Sequence, residues 1–237
     1  MEYIPVHTRV MRPPKDDLYA VLAESLKDVQ ERDIICVSSK VLAIDQGRCV
    51  PIGSVDKLEL IEAEADNLIE RAYQHVPLTI KQSVFIGSAG IDESNANGYY
   101  VLMPERIFEE AEALWRFLKE QHSVRELGII ITDSRSLPLR YGAMGVALGY
   151  WGFSPLLDHR GKKDLFGRAM QLERSNLADA IAAGAGIVSG EVAEGNPIVI
   201  VRGTPLVTFT EKSAPEELFV PPEEDVFRTL YGSFLKE

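Results

Sequence analysis

Residues 128–142 read GIIITDSRSLPLRYG, and the first part of this stretch predicts a strand of the protein core. The apolar run is short and rich in β-branched isoleucine, which is typical of a buried strand. It ends abruptly in Thr132, Asp133 and Ser134, whose side chains carry hydroxyl or carboxylate oxygens. Because ligands are usually held at strand ends and in the loops beyond them, we predict a binding site here.

Strands and helices on either side of this stretch do not alternate one for one. Apolar runs predict further strands in DIICVSS, SVFI, GYYVLM and NPIVIVRG. Helical patterns are found after Asp16, around 57–74, after Pro104, over 177–190 and in the final PPEEDVFRTLYGSFL. No repeat or linker divides the chain. We therefore expect a mixed α+β fold in one domain, 1–237, with room for two α+β subdomains.

Composition excludes several classes of protein. A net charge of −11 and a pI near 5.0 disfavour nucleic-acid binding through a basic surface. No stretch approaches the roughly 18 consecutive apolar residues of a membrane span, and the start lacks the apolar core of a secretory signal. We expect a cytoplasmic protein. Cys36 and Cys49 are not spaced as a redox or zinc pair, and Cys36 should pack as a small hydrophobic residue.

The segment from Arg135 to Arg168 is basic in an otherwise acidic chain. It holds six basic side chains against two acids, a net charge of +4. The cluster indicates an anion-binding segment, and Arg140, Arg160 and Arg168 are its candidates for bidentate contacts. The alternative is a solvated loop that pairs with the acidic remainder of the surface.

The known phosphate-binding and hydrolase motifs are absent. Neither a P-loop, nor a Rossmann fingerprint, nor a G-x-S-x-G elbow occurs. What remains is Asp92, in the turn SAGIDESN between two predicted strands, and Asp133 at the end of LGIIIT. A carboxylate followed by a hydroxyl suits Mg²⁺ or Mn²⁺. The alternative is that both aspartates only cap turns.

Together these segments resemble a known family. SSKVLAIDQGR, SAGIDESN, GIIITDSRSLPLRYGAMGVALG, DHRGKKDLFGR and GNPIVIVRG have the order and spacing of the coenzyme F-420-0:γ-glutamyl ligases, the CofE-like proteins. The resemblance covers nearly the whole chain and is strongest at GIDESN and ITDSR. It implies a CofE-like α+β fold in an intertwined homodimer. It also implies a ligase that adds L-glutamate to a carboxylate of coenzyme F-420-0 or a folate-like pterin through an acyl phosphate, using GTP or ATP and two Mg²⁺ or Mn²⁺ ions.

The resemblance also implies roles for individual residues. Those matching the family's metal ligands are Asp92, Asp133, Ser134 and Gly195. Those matching its nucleotide contacts are Ser39, Lys40, Asn95, Glu194, Gly195 and Asn196, with a weaker match at 9–12.

The chain departs from the family pattern at Ile44. The family commonly has a nucleotide-contacting lysine at this position, within a turn that here reads AIDQGR. A rival hypothesis is therefore a non-catalytic nucleotide sensor that kept the metal aspartates and lost the ligase chemistry.

Overall fold

The computed structural model describes residues 1–71 and 76–235 of the chain. The strands are β1 Glu2–Val6, β2 Ile34–Ser38, β3 Cys49–Pro51, β4 Asn67–Arg71, β5 Pro77–Lys81, β6 Val84–Gly87, β7 Tyr99–Val101, β8 Gly128–Ser136, β9 Ala143–Trp151, β10 Leu156–Asp158, β11 Arg174–Asn176 and β12 Ile198–Arg202. The α-helices are α1 Leu18–Ser25, α2 Ser39–Gln46, α3 Lys57–Glu64, α4 Ile107–His122, α5 Leu177–Ser189 and α6 Arg228–Tyr231. The predicted mixed α+β class is confirmed.

A five-stranded mixed sheet forms the centre, in the order β1-β12-β2-β8-β9. Only β2 and β8 run parallel within it, and the other neighbours are antiparallel. The last residue of β2, Ser38, pairs in register with Thr132. β8 itself continues to Ser136, so Thr132, Asp133 and Ser134 lie within the strand and not at its end, where the sequence pattern predicts them. This pairing directs two chain segments with polar side chains toward the same place.

Both faces of the central sheet are covered, which explains the uninterrupted apolar runs of its inner strands. On β2, Ile35 and Val37 join the core beneath α1, α2 and α4. Ile34 and Cys36 face the other way, into the core against α5. Cys36 is buried as a small hydrophobic residue, as its position in the apolar run predicts.

Helix α5 packs closely on β9 because both are rich in small residues. A Cβ atom at Gly145 would lie 2.2 Å from the carbonyl oxygen of Ala182. A Cβ atom at Gly184 would lie 2.3 Å from the ring of Tyr3. The predicted small-residue helix over 177–190 is confirmed as a helix of the core.

Two smaller antiparallel sheets, β4-β5-β6 and β3-β7, carry the turn between β6 and β7. Buried Thr79 anchors the start of this turn: its hydroxyl donates to the carbonyl of Ile86 and accepts from the amide of Ala89. Asp92 pairs with Val101 in an isolated bridge at the other end. The turn is thereby held at both ends.

The sequence patterns mispredict three elements. The helix predicted around 57–74 ends at Glu64, and 67–71 form strand β4, while 72–74 lie outside the described residues. The segment after β2 folds into α2, where the sequence patterns predicted no helix. The final helix is reduced to α6, which a 3-10 turn at Gly232–Phe234 follows. Its apolar Val226 and Leu230 are exposed, so no core contact stabilises a longer helix.

Among the described residues, no helix has the length and apolar character needed to cross a bilayer.

Candidate functional site

A cavity of about 380 Å³ lies where β2 ends beside the second half of β8. Its walls come from the end of β8, the start of α2, the β6–β7 turn, the loop 190–197 and residues 8–11. The following predicted metal and nucleotide residues all line it: Ser39, Lys40, Asp92, Asn95, Asp133, Ser134, Glu194, Gly195 and Asn196. These nine residues come from four segments that are distant in the sequence, and the fold gathers them around one cavity.

Asp92 is held by its own turn and by a lysine. One carboxylate oxygen, Oδ1, accepts from the amide of Ser94 at 2.7 Å. The other, Oδ2, accepts from the Ser94 hydroxyl at 3.0 Å and lies 2.6 Å from Nζ of Lys40. Partial burial opposes ionisation, but these hydrogen bonds outweigh it and hold the pKa of Asp92 below its usual value. Asp92 is therefore ionised at neutral pH and caps its turn while facing the cavity.

Asp133 is in a drier environment. The loss of surrounding water raises its pKa to about 6, although hydrogen bonds from the Ser134 amide and the Ser39 hydroxyl act in the opposite direction. The nearby charge of Asp92 raises the pKa further, and that of Lys40 lowers it. The two carboxylates are thus close enough to repel each other, which favours a cation between or beside them.

Ser134 and Asn95 connect these aspartates to the loop 190–197. The Asn95 amide group donates to the carbonyl of Val192 at 2.5 Å. The Ser134 hydroxyl lies 3.5 Å from the Glu191 carboxylate, a long contact. The β6–β7 turn and the end of β8 therefore both approach the same loop.

The loop 190–197 folds back on itself and on the first residues of the chain. The Glu194 carboxylate accepts from the amide of Val192 at 2.9 Å, which helps to keep its pKa low. The Gly195 carbonyl accepts from the amide of Thr8 at 3.1 Å. Gly195 has a φ of +71°, and a Cβ atom there would lie 2.6 Å from the His7 ring. Glycine is required here by both conformation and space.

Some residues of the cavity escaped sequence reasoning. His7, next to the cavity, donates from Nδ1 to the Glu194 carbonyl at 3.2 Å, and the Ser189 hydroxyl donates to the Asn196 carbonyl at 2.9 Å. No local sequence pattern identifies either residue. His7 contacts a loop that is far away in the sequence, and Ser189 contacts a residue beyond the end of its own helix. Ser94 had a local signal, because an aspartate two residues before a serine is typical of an Asx turn.

The donor set fits a hard divalent cation. Asp92 and Asp133 supply carboxylate oxygens and Ser134 a hydroxyl, beside the positive charge of Lys40. Among the described residues, no group of three or more His, Cys, Asp or Glu side chains is arranged to hold a metal ion. Mg²⁺ commonly binds through one or two carboxylates, with water and substrate phosphates completing its shell.

The structure does not bring Arg140, Arg160 and Arg168 to this cavity. Arg140 is exposed in the β8–β9 loop, where its guanidinium donates to the carbonyl of Leu139. Arg160 pairs with Asp158, its neighbour in the β10–β11 hairpin. Arg168 lies exposed in the same hairpin. Within a single chain these arginines are separate from the two aspartates.

Ile44 is buried and lines the cavity at the point where the family commonly has a lysine. It contributes an apolar wall.

Known proteins match this chain over most of its length. The sequence model of the family described as F420-0:gamma-glutamyl ligase matches residues 6–203. A coenzyme F420:L-glutamate ligase of Methanopyrus kandleri is 30% identical over 248 aligned positions, covering 96% of this chain and 97% of the relative. Those of Methanothermobacter thermautotrophicus and Haloarcula marismortui are 31% and 32% identical, over 89% and 91% of this chain and 90% and 91% of their own. The resemblance carried by the motifs is confirmed, and the chain belongs to the F420-0:gamma-glutamyl ligase family.

Proposed function

We propose that this protein joins L-glutamate to a carboxylate of its acceptor, using a nucleoside triphosphate and divalent metal ions. The relatives are named coenzyme F420:L-glutamate ligases, which makes coenzyme F-420-0 the first acceptor to test. A folate-like pterin is the other acceptor that the family resemblance implies.

One observation carries the proposal. Asp92 and Asp133 line the same cavity, interact electrostatically, and are accompanied by Lys40. Phosphoryl transfer needs such an arrangement, because charge develops on the transferred group and must be offset by cations. A divalent ion held by the two carboxylates and Ser134 would supply part of that positive charge.

The chemistry proceeds in two displacements. A carboxylate oxygen of the acceptor attacks the γ-phosphorus, the bond to the β,γ-bridging oxygen breaks, and the nucleoside diphosphate leaves with the electron pair. The amine of glutamate then attacks the carbonyl carbon of the acyl phosphate. Inorganic phosphate leaves and the nitrogen loses a proton, so that an amide is formed. The protein positions the reactants for both steps and excludes water from the acyl phosphate.

Lys40 and the loop 190–197 have separate tasks in this proposal. The ammonium of Lys40 lies beside the metal carboxylates, where it offsets phosphate charge. The loop presents backbone groups to the nucleotide, with Gly195 allowing a close approach. The apolar wall at Ile44 replaces one cationic contact of the family, so both GTP and ATP have to be tested.

We also propose a homodimer. Large apolar side chains are almost completely exposed in the β8–β9 loop and the β10–β11 hairpin, including Leu139, Leu165 and Phe166. Exposed apolar groups of this kind usually mark an interaction surface. A second copy that covers these segments would bury them and bring the basic residues of the hairpin to a neighbouring cavity.

The rival hypothesis of a non-catalytic nucleotide sensor is not favoured, because the relatives named as ligases match over most of the chain. Nucleotide turnover separates the two hypotheses. A ligase hydrolyses nucleotide in proportion to product and only with both glutamate and acceptor present, whereas a sensor binds nucleotide without that dependence.

The deciding experiment is a mass-spectrometric screen. The protein is incubated with L-glutamate, Mn²⁺ or Mg²⁺, GTP or ATP, and each acceptor in turn. We expect a mass gain of one or more glutamyl residues on one acceptor, lost in Asp133→Asn. If no acceptor gains mass with either nucleotide, the proposed ligase function is wrong.

A further inference from the structure

A second cavity, of about 360 Å³, lies further along β8, next to the first one. Its walls come from β8 and β9, the first turn of α5, the β5–β6 hairpin and the C-terminal segment 218–235. Apolar side chains such as Phe85, Val146 and Leu218 line much of it. None of the predicted metal or nucleotide residues takes part in its walls.

Arg135 is the cation of this cavity. Its side chain is half-buried, and no described residue forms a hydrogen bond or an ion pair with its guanidinium. Arg202, by contrast, which is also partly buried, binds Asp33 and Asp28. A half-buried guanidinium with unused donors is an unusual feature in a chain of net charge −11. It is available to an anionic group of a ligand.

Three aspartates share the cavity walls with Arg135, and backbone amides already stabilise each of them. The Asp66 carboxylate accepts from the amide of Gln82, Asp179 from that of Ala147, and Asp225 from that of Phe227. Side chains add one contact to each: Asn176 to Asp179, Tyr231 to Asp225 and Lys81 to Asp66. A carboxylate offers about four lone pairs, so each aspartate can still accept from a ligand. A multiply charged phosphate would be repelled by three carboxylates, whereas a ligand with both a carboxylate and an ammonium would fit.

The two cavities share strand β8. Side chains two residues apart on a strand point to the same face, so Asp133 and Arg135 lie on one face of β8. Their Cα atoms are separated by roughly 7 Å along the strand. Asp133 lines the first cavity and Arg135 the second. A ligand held by Arg135 would therefore lie next to the site proposed for the acyl phosphate.

We infer that the second cavity binds the incoming amino acid, with Arg135 holding a carboxylate and Asp179 or Asp225 accepting from the ammonium. This inference rests on the proposed ligase function, which supplies L-glutamate as the amino acid. The cavity then presents the amino acid to an acyl phosphate formed in the neighbouring cavity, on the same face of β8.

Equilibrium dialysis with isotope-labelled L-glutamate tests the site directly, in the presence of Mn²⁺ and a non-hydrolysable GTP analogue. Arg135→Gln should weaken glutamate binding about tenfold or more, because a charge-assisted pair is lost. Arg135→Lys should retain part of the affinity. The matched control is Arg116→Gln, which removes an exposed arginine of α4 that pairs with Glu112. This variant should bind glutamate like the unaltered protein.

A second arm needs no substitution. Glutarate has the two carboxylates of glutamate but no ammonium, so it should bind the unaltered protein at least about tenfold more weakly. Arg135 pairs with no residue in the part of the chain that the structure describes, and the melting temperature of Arg135→Gln should therefore stay close to that of the unaltered protein.

The outcomes separate this site from the proposed function. Unchanged glutamate binding in Arg135→Gln, no binding to the unaltered protein, or equal binding of glutarate would each overturn the inference. Glutamate binding that depends on Arg135, with no ligation product on any acceptor, would support the site and refute the ligase proposal. Ligation that does not depend on Arg135 would support the ligase proposal and refute the amino-acid site.

Discussion

Lys40 and Asp92 form an ion pair of 2.6 Å between the first turn of α2 and the β6–β7 turn. The same ammonium donates to the hydroxyl and the carbonyl of Ser94, at 3.0 and 2.8 Å. Three oxygens of one turn thus surround a cation that belongs to another segment. The lysine neutralises a carboxylate that a divalent ion would also need.

Lys40→Met should separate metal binding from nucleotide binding. Removing the ammonium frees Asp92 of a competing cation, so the affinity for Mn²⁺ alone should stay equal or rise. The affinity for nucleotide should fall about tenfold, because a charge-assisted contact to phosphate is lost. Calorimetric titration with Mn²⁺ and then nucleotide measures both. Lys57→Met, which removes the neighbouring pair with Glu93, is the control. A drop in affinity for Mn²⁺ alone would show that Lys40 does not compete with the metal.

Asp133→Asn and Asp92→Asn should each abolish most metal-dependent nucleotide binding. Asparagine preserves the shape but removes a charge that a hard cation requires. The double variant should lose less than the sum of the two single losses if both carboxylates serve one ion. Titration of Mn²⁺ with nucleotide into the three variants measures this. Affinity like that of the unaltered protein in Asp133→Asn would mean that this aspartate only caps a turn.

Asp133→Asn should also stabilise the metal-free protein at neutral pH. Burial raises the pKa of Asp133 from 3.8 to about 6, so the fold favours its protonated form. That contribution is present below pH 4 and is lost as the pH rises through 6. At pH 7.5 the variant should therefore melt a few degrees higher, whereas at pH 4 the two proteins should differ little. Thermal unfolding with a chelator present provides the measurement. An equal gain at both pH values would contradict the burial effect.

Gly195→Ala should disturb the loop 190–197 more than an ordinary glycine substitution does. The new Cβ atom would meet the His7 ring at 2.6 Å, in a backbone with φ of +71°. We expect a loss of about 1–2 kcal/mol of stability and weaker nucleotide binding. Gly53→Ala is the matched control, since its φ is +85° but no atom lies within 4 Å of the added Cβ. If both variants bind nucleotide normally, the close approach at Gly195 is unimportant for the site.

The proposed homodimer should be obligate. Leu165 and Phe166 are 98% and 95% exposed, and replacing both with glutamate should block association. Dissociation and unfolding of the unaltered protein should occur together, because the proposed interface is intertwined. Sedimentation at several concentrations measures this, with Val226→Glu as a control at another exposed apolar position. A folded monomer of the unaltered protein at low concentration would refute the dimer.

Local sequence patterns determined the central strands and the chemical character of the strand ends. The apolar runs of β2, β8 and β12 are each short, continuous and rich in β-branched residues, which only a buried strand satisfies. The oxygen-bearing residues in the second half of β8 were visible without any knowledge of their neighbours in space. The same is true of the motifs that placed the chain in its family.

Tertiary structure alone decided which distant segments meet. Lys40 and Asp133 share a cavity because β2 and β8 are parallel, and Asp92 joins them because the two small sheets carry its turn to the same place. No local pattern encodes either approach. Tertiary structure also decided that α3 ends at Glu64, that 67–71 form the strand β4, and that the C-terminal helix is only four residues long. Periodicity describes which face of a segment is apolar, but the pairing partner and the buried area that stabilise one conformation come from residues far away in sequence.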